Sequence, residues 1–300
     1  MNGIVMDIQR FCLQDGPGIR TTVFLQGCNM RCKWCHNPES MELSPVLMYR
    51  EDKCIGCGIC VENCPQGVHS IEEGIHRIDR KKCVMCKACI EKCPANALFT
   101  SANETSAEKV FEEICKDEKY YLHSGGGVTF SGGEATLQFD FLKELLLKCR
   151  GKNYHTAIET NGIIPEKRLQ ELLGLVDLFL LDYKATGKDY KIFTAVESDG
   201  VMKSLDMIQR EKGQVILRCP IIPGINDTEK HFKAIRDLRK KYSCIRNVEI
   251  MAYHDTGKGK WKECGKQYEL AQIKTASPDQ KRMWEEAVRE ENIYVADRNE

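Results

Sequence analysis

The chain has 300 residues, and its 44 lysines and arginines are balanced by 44 aspartates and glutamates, so it lacks the positive field of a protein that binds nucleic acid or anionic lipid. Apolar residues make up 42%, the share of an ordinary globular protein, and no apolar run approaches the roughly 20 residues of a membrane-spanning helix. Seventeen cysteines and no secretory segment exclude a secreted disulfide scaffold and predict a reduced, cytoplasmic setting poor in oxygen.

In chain order, Asp15-Gly16-Pro17-Gly18-Ile19-Arg20 leads into a predicted strand at 21–25, and Cys28, Cys32 and Cys35 follow it as Cys-x3-Cys-x2-Cys. Residues 48–100 then carry Cys54, Cys57, Cys60, Cys64 and Cys83, Cys86, Cys89, Cys93, each run spaced Cys-x2-Cys-x2-Cys-x3-Cys-Pro. Beyond them, short apolar runs at 128–130, 155–158, 178–181, 215–217 and 248–251 read as strands. Amphipathic stretches at 107–119, 139–150, 166–173, 200–212 and 228–242 read as helices between them. This alternation predicts an α/β fold with a parallel sheet. Six strands are too few for a closed eight-fold barrel, so a partial, open (β/α)6 TIM-type barrel is expected. Residues 1–47 form its first part, 48–100 a small domain inserted in the first crossover, and 101–300 the remainder with a C-terminal extension. Within that extension, 278–291 reads as a helix and 293–296 as a strand.

The cysteine spacings carry the chemistry. The two runs in 48–100 match the two-cluster ferredoxin fingerprint, in which the fourth cysteine of each run ligates the other cluster. Cys54, Cys57, Cys60 and Cys93 are thus expected to hold one [4Fe-4S] cluster, and Cys83, Cys86, Cys89 and Cys64 the second. Structural zinc is the rival, but zinc sites usually show two separated Cys-x2-Cys pairs rather than four cysteines in one short run. The run at 28–35 offers only three thiolates to four irons, which leaves one iron open to another ligand. Cys12, Cys115, Cys149, Cys219, Cys244 and Cys264 stand singly and read as small hydrophobes or surface thiols. Lys258, Lys260, Lys262 and Lys266 read as a solvated loop. His36, His69, His76 and His123 have no motif to support a role.

Cys28-Asn29-Met30-Arg31-Cys32-Lys33-Trp34-Cys35 resembles the defining motif of the radical S-adenosylmethionine enzymes, and Ser131-Gly132-Gly133-Glu134 resembles their second motif. The run from Asp15 to Arg20, with Thr21-Thr22-Val23-Phe24 and Gly27-Cys28, is similar to the signature of the glycyl radical enzyme activating enzymes. So are His36-Asn37-Pro38-Glu39, Glu159-Thr160-Asn161-Gly162, Asp182-Tyr183-Lys184, Arg218 with Pro223-Gly224, and Tyr253-His254. The resemblance implies three [4Fe-4S] clusters and S-adenosylmethionine, reductively cleaved to a 5′-deoxyadenosyl radical that takes hydrogen from a backbone glycine of a partner enzyme. It implies that Trp34 packs on adenine, that Gly132, Gly133 and Glu134 hold the methionine ammonium, and that Lys184, Arg218 and His254 line the pocket. Glu159, Thr160 and Asp182 match a monovalent-cation site, with glutamate at 159 where the best-known member has aspartate. A reductant such as flavodoxin or ferredoxin, and a monomeric state, are further expectations. The alternatives are a radical enzyme acting on a small molecule or peptide, and a ferredoxin-type electron carrier. The carrier leaves Cys28–Cys35 and Gly132-Gly133-Glu134 without a purpose.

Overall fold

A computed structural model describes residues 1–289. Its strands are β1 (Asn2–Cys12), β2 (Arg20–Leu25), β3 (Leu47–Tyr49), β4 (His69–Glu72), β5 (Ile75–Ile78), β6 (Leu98–Thr100), β7 (Asn103–Ser106), β8 (Gly127–Gly132), β9 (His155–Thr160), β10 (Leu178–Asp182), β11 (Val215–Ile221) and β12 (Ile245–Ala252). Eight of them form one sheet in the order β12-β11-β10-β9-β8-β2-β1-β7. The six from β2 to β12 in that order are parallel, and β1 and β7 continue the sheet antiparallel. The two end strands do not pair with each other, so the sheet is open, in agreement with a partial barrel.

Apolar runs become these strands because a parallel sheet is covered on both faces. Phe179, Leu180 and Leu181 of β10 are all fully buried. The helix Phe139–Gly151 explains one side of that cover. It buries Phe139, Leu142, Leu146 and Cys149, with Phe141 and Leu145 alongside, at the three- and four-residue spacing of a single helical face. Ser106 and Thr228 cap the helices Ala107–Cys115 and Glu229–Lys241 by accepting from the backbone of Lys109 and His231.

Several elements differ from expectation. The helix expected over 107–119 breaks at Asp117, whose buried carboxylate accepts from Arg10 and Thr21, and restarts as Glu118–Ser124. β1 and β7 were not expected. β1 mixes apolar and polar residues without clean alternation and is only partly buried, and Asn103-Glu104-Thr105-Ser106 has no apolar residue to mark β7. The expected C-terminal helix forms as Pro278–Val288 behind a Ser277–Gln280 capping box, and buries Trp284 and Val288 in the main core. The strand expected at 293–296 lies outside the described residues.

Between β2 and β8 the chain leaves the sheet through β3 and returns through β6. These two strands pair antiparallel, Leu47 opposite Thr100 and Tyr49 opposite Leu98. Inside, the two halves repeat one local order: a 3-10 turn (Glu51–Lys53, then Arg80–Lys82), a short helix (Ile59–Glu62, then Ala88–Glu91) and a Cys-Pro step. The hairpin β4–β5 joins them.

Candidate active site

At the carboxyl ends of the parallel strands lies a cavity of about 540 Å³, within the range of small-molecule sites. Its wall includes Cys28, Cys32, Cys35 and Trp34 from the loop after β2, and Ser131, Gly132 and Gly133 from the end of β8. Glu159, Thr160 and Asn161 come from β9 and its end, Asp182 and Lys184 from β10 and its end, and Tyr253 and His254 from beyond β12. The fold thus assembles residues spread over more than 220 positions, because each lies at or just past the end of a neighbouring parallel strand.

The three-cysteine loop is pinned from two sides. The backbone N–H groups of Arg31 and Lys33 donate to Thr194 and Phe193 at the end of the helix Lys188–Thr194, at 2.9 and 3.0 Å. Trp261 Nε1 donates to the Cys35 carbonyl at 2.8 Å. Burial pushes the Cys32 thiol up to about 11 and the Cys28 and Cys35 thiols upward too. Such thiols stay protonated until a cation offsets the buried charge. Three of them beside a large cavity fit a cluster that keeps one iron for an outside ligand. The Trp34 ring is buried against Phe193 at 5.6 Å and against Ile222, Tyr253 and Leu270.

Across the cavity, β10, β11 and β12 place Asp182, Arg218 and Glu249 in one register row. Arg218 is 2% exposed and donates to Glu159 at 2.9 Å and Glu249 at 3.1 Å. Burial opposes the charge on Glu159, but Arg218 and the Ser131 hydroxyl, 2.5 Å away, outweigh it and hold the carboxylate below its usual range. Lys184 Nζ meets Asp182 at 2.6 Å. Burial opposes that ammonium as well, yet Asp182 and the nearby Cys32 lift its pKa well above the ordinary lysine value. A fixed row of paired charges therefore faces the three thiols.

Two expected residues stand behind the wall rather than on it. Arg218 is one. Glu134 is the other: it is fully buried and accepts from Thr136 Oγ1 at 2.6 Å, Thr160 Oγ1 at 3.0 Å and Asn161 N at 2.8 Å. Burial raises its pKa, and these hydrogen bonds work against that rise. The wall itself is the Gly132–Gly133 backbone. A Cβ on Gly133 would lie 2.2 Å from the Gly27 carbonyl oxygen, so only glycine lets this turn approach the cysteine loop. Asn161 donates to Asn29 at 2.8 Å and reaches Cys28 Sγ at 3.9 Å, linking the two loops. His36 Nε2 donates to the His254 carbonyl at 3.0 Å, and burial lowers its pKa to about 4.

Two smaller cavities lie in the insert. One is lined by Cys54, Cys57, Cys60 and Cys93, the other by Cys64, Cys83, Cys86 and Cys89, so each gathers three cysteines of one run and the fourth of the other. The lysines read as a solvated loop stay partly solvated, Lys262 most of all, but three of them lie on a helix and all four have acidic partners. The helix Lys258–Glu263 fills the seam between the insert and the cysteine loop. Lys260 pairs with Glu39 and Asn37 at 2.7 Å, Lys262 with Glu51 at 2.7 Å, Lys266 with Glu42 at 3.6 Å and Lys258 with Asp255 at 3.2 Å. From the insert, Arg50 reaches Glu263 at 3.1 Å and Arg80 donates to the Glu263 carbonyl at 2.9 Å. Nothing in the sequence signalled Trp261 or this seam. Glu249 lies inside a predicted strand, 248–251, but its place beside Arg218 comes from the register of β11 and β12.

A family model described as the radical SAM superfamily matches residues 22–238. The chain is 38% identical over 91% of its length to the (2S)-3-sulfopropanediol dehydratase activating enzyme of Klebsiella oxytoca, covering 88% of that protein. It is 37% identical to the trans-4-hydroxy-L-proline dehydratase activating enzyme of Clostridioides difficile, covering 93% of each chain. It is 35% identical to the choline trimethylamine-lyase activating enzyme of Oleidesulfovibrio alaskensis, covering 89% of this chain and 88% of that one. Among solved structures, a radical SAM methyltransferase from Sphaerobacter thermophilus matches with a TM-score of 0.54 at 11% identity, over 97% of this chain and 76% of that one, a likeness of fold. With the motifs of the three-cysteine loop and the Gly-Gly turn set at one cavity, the chain belongs to the radical SAM superfamily and, within it, to the glycyl radical enzyme activating enzymes.

Proposed function

We propose that this activating enzyme holds its radical-generating [4Fe-4S] cluster on Cys28, Cys32 and Cys35 and binds S-adenosylmethionine in the adjoining cavity. Two auxiliary clusters sit on the swapped cysteine sets of a ferredoxin-like insert, residues 48–100. When bound, the open cluster supplies one electron to the sulfonium, giving methionine and a 5′-deoxyadenosyl radical that takes a hydrogen atom from a backbone glycine of the partner. The protein's own groups bind and orient. Lys184, kept charged by Asp182, meets the methionine carboxylate, and the Gly132–Gly133 backbone receives its ammonium. Glu134 acts through Thr160 and Asn161, whose positions it fixes. Trp34 packs on adenine and His254 closes the adenosine side. Glu159, Thr160 and Asp182 form the monovalent-cation site, with Arg218 neutralising the excess charge of Glu159 and Glu249.

The observation that carries this reading is the convergence on one cavity of three cysteines, the Gly-Gly turn and the Asp182–Lys184 pair. The protein acts as a monomer in the cytoplasm and receives electrons from flavodoxin or a ferredoxin. Anaerobic reaction of the reduced, reconstituted protein with S-adenosylmethionine and a glycyl-loop peptide deuterated at glycine tests it. Deuterium in 5′-deoxyadenosine is expected. Unlabelled product would overturn the glycine target, and no product would overturn the radical chemistry.

A further inference from the structure

The two four-cysteine cavities are joined by a pair of imidazoles. His76 lines the first, with Nε2 3.5 Å from Cys60 Sγ and Nδ1 3.9 Å from Cys54 Sγ. His69 lines the second; it is 5% exposed, and its buried Nε2 has no hydrogen-bond partner among the described residues. The rings meet at 3.0 Å, His69 Nδ1 to His76 Nε2. The β4–β5 register, Ile71 opposite His76 and His69 opposite Ile78, makes them diagonal neighbours, and the Tyr49 ring holds His76 edge-on at 4.8 Å.

We propose that the His69–His76 pair is a hydrogen-bond bridge that sets the reduction potentials of the two clusters held by the insert. This rests on the two-cluster reading above. A ligating thiolate only accepts hydrogen bonds, so the imidazole nitrogen nearer to one, His76 Nε2 at 3.5 Å from Cys60 Sγ, must donate. His76 Nε2–H lies between Cys60 Sγ and His69 Nδ1 and serves both. With Nδ1 accepting, the proton of neutral His69 sits on Nε2, the unpartnered atom at the second cavity. The first cysteine set thus has an N–H donor at Cys60, and the His69 N–H at the second cavity, bonded to none of the described residues, is left for the cluster held there. Hydrogen bonds to cluster sulfurs raise the potential by stabilising the charge added on reduction. A mononuclear ion is the competing occupant, because the ligand atoms of Cys60, His69 and His76 lie within 4.8 Å of one another.

The full chain with Cys28→Ala, Cys32→Ala and Cys35→Ala isolates the insert for anaerobic reconstitution with iron and sulfide. A potentiometric titration followed by electron paramagnetic resonance then reads its clusters. Expected are about eight irons per chain and two midpoints. His76→Phe shifts one midpoint to more negative potential, His69→Phe shifts the other, and glutamine at either position, which keeps an N–H, reverses the shift. Full loading with unmoved midpoints would overturn the bridge alone. A phenylalanine variant that folds but loses its iron would do the same, by showing that the pair holds a cluster and does not tune it. Fewer than two clusters in the parent, or zinc that departs with either histidine, would overturn the two-cluster reading and the bridge together.

Discussion

Arg218 shows what a single residue contributes to this site. It is buried and donates to both Glu159 and Glu249, so Arg218→Met removes the guanidinium that pairs with the two carboxylates. Breaking such a buried pair typically costs about 3–5 kcal/mol, and denaturant unfolding of the metal-free variant should show a loss of that size. The pH dependence has a definite sign. Arg218 holds the Glu159 pKa below its unfolded value, so the stabilisation is present above the usual glutamate pKa of about 4.3 and is lost as pH falls through the depressed value. The stability difference between the parent and Glu159→Gln should therefore be constant near neutral pH and shrink below about pH 4. Arg218 was legible in the sequence only through its resemblance to a motif; that it serves behind the wall, paired with Glu249, depends on the register of β11 and β12, which no local pattern encodes.

Among elements, the turn after β8 and the helix Lys258–Glu263 differ in how they could be read. Gly132-Gly133-Glu134 after a predicted strand announces a close backbone approach. Gly133→Ala must push its new methyl against the Gly27 carbonyl and toward Cys28, so it should fold poorly or displace the cysteine loop. After reconstitution, iron analysis should find about four irons fewer per chain than in the parent. The helix Lys258–Glu263 has only three lysines, a glycine, a tryptophan and a glutamate to show, a pattern equally suited to solvent. Its role comes from where the fold carries it, between Cys35 and the insert. Trp261→Phe keeps the ring and removes the hydrogen bond to Cys35, which should cost about 1 kcal/mol and speed release of iron to a chelator. Glu263→Ala should raise hydrogen exchange in residues 48–100, because Arg50 loses its anchor there.

At the scale of the molecule, the alternation of strands and helices was plain because the parallel core needs apolar strands and amphipathic cover. The antiparallel margin was hidden because β7 has no apolar residue and β1 mixes Ile4, Val5, Met6 and Ile8 with polar residues in no clean alternation. The cysteines of residues 48–100 set that segment apart in the sequence, and the pairing of β3 with β6 at its ends makes a direct test of its role possible. Replacing residues 50–97 by a short turn should leave a folded chain with about four irons that still cleaves S-adenosylmethionine when given a strong chemical reductant. Loss of cleavage under those conditions would show that the core cannot carry out this chemistry without the segment.

The paired strands at that neck also bear on ancestry. A segment whose two ends are adjacent can be acquired or discarded in one genetic event without re-threading the chain around it. Descendants of a common gene could then diverge into long and short forms while their radical-generating cores stay superimposable. Phylogenies built from the core alone and from the insert alone need not agree, and where they differ the neck residues Leu47–Tyr49 and Leu98–Thr100 mark the joint at which the histories were spliced.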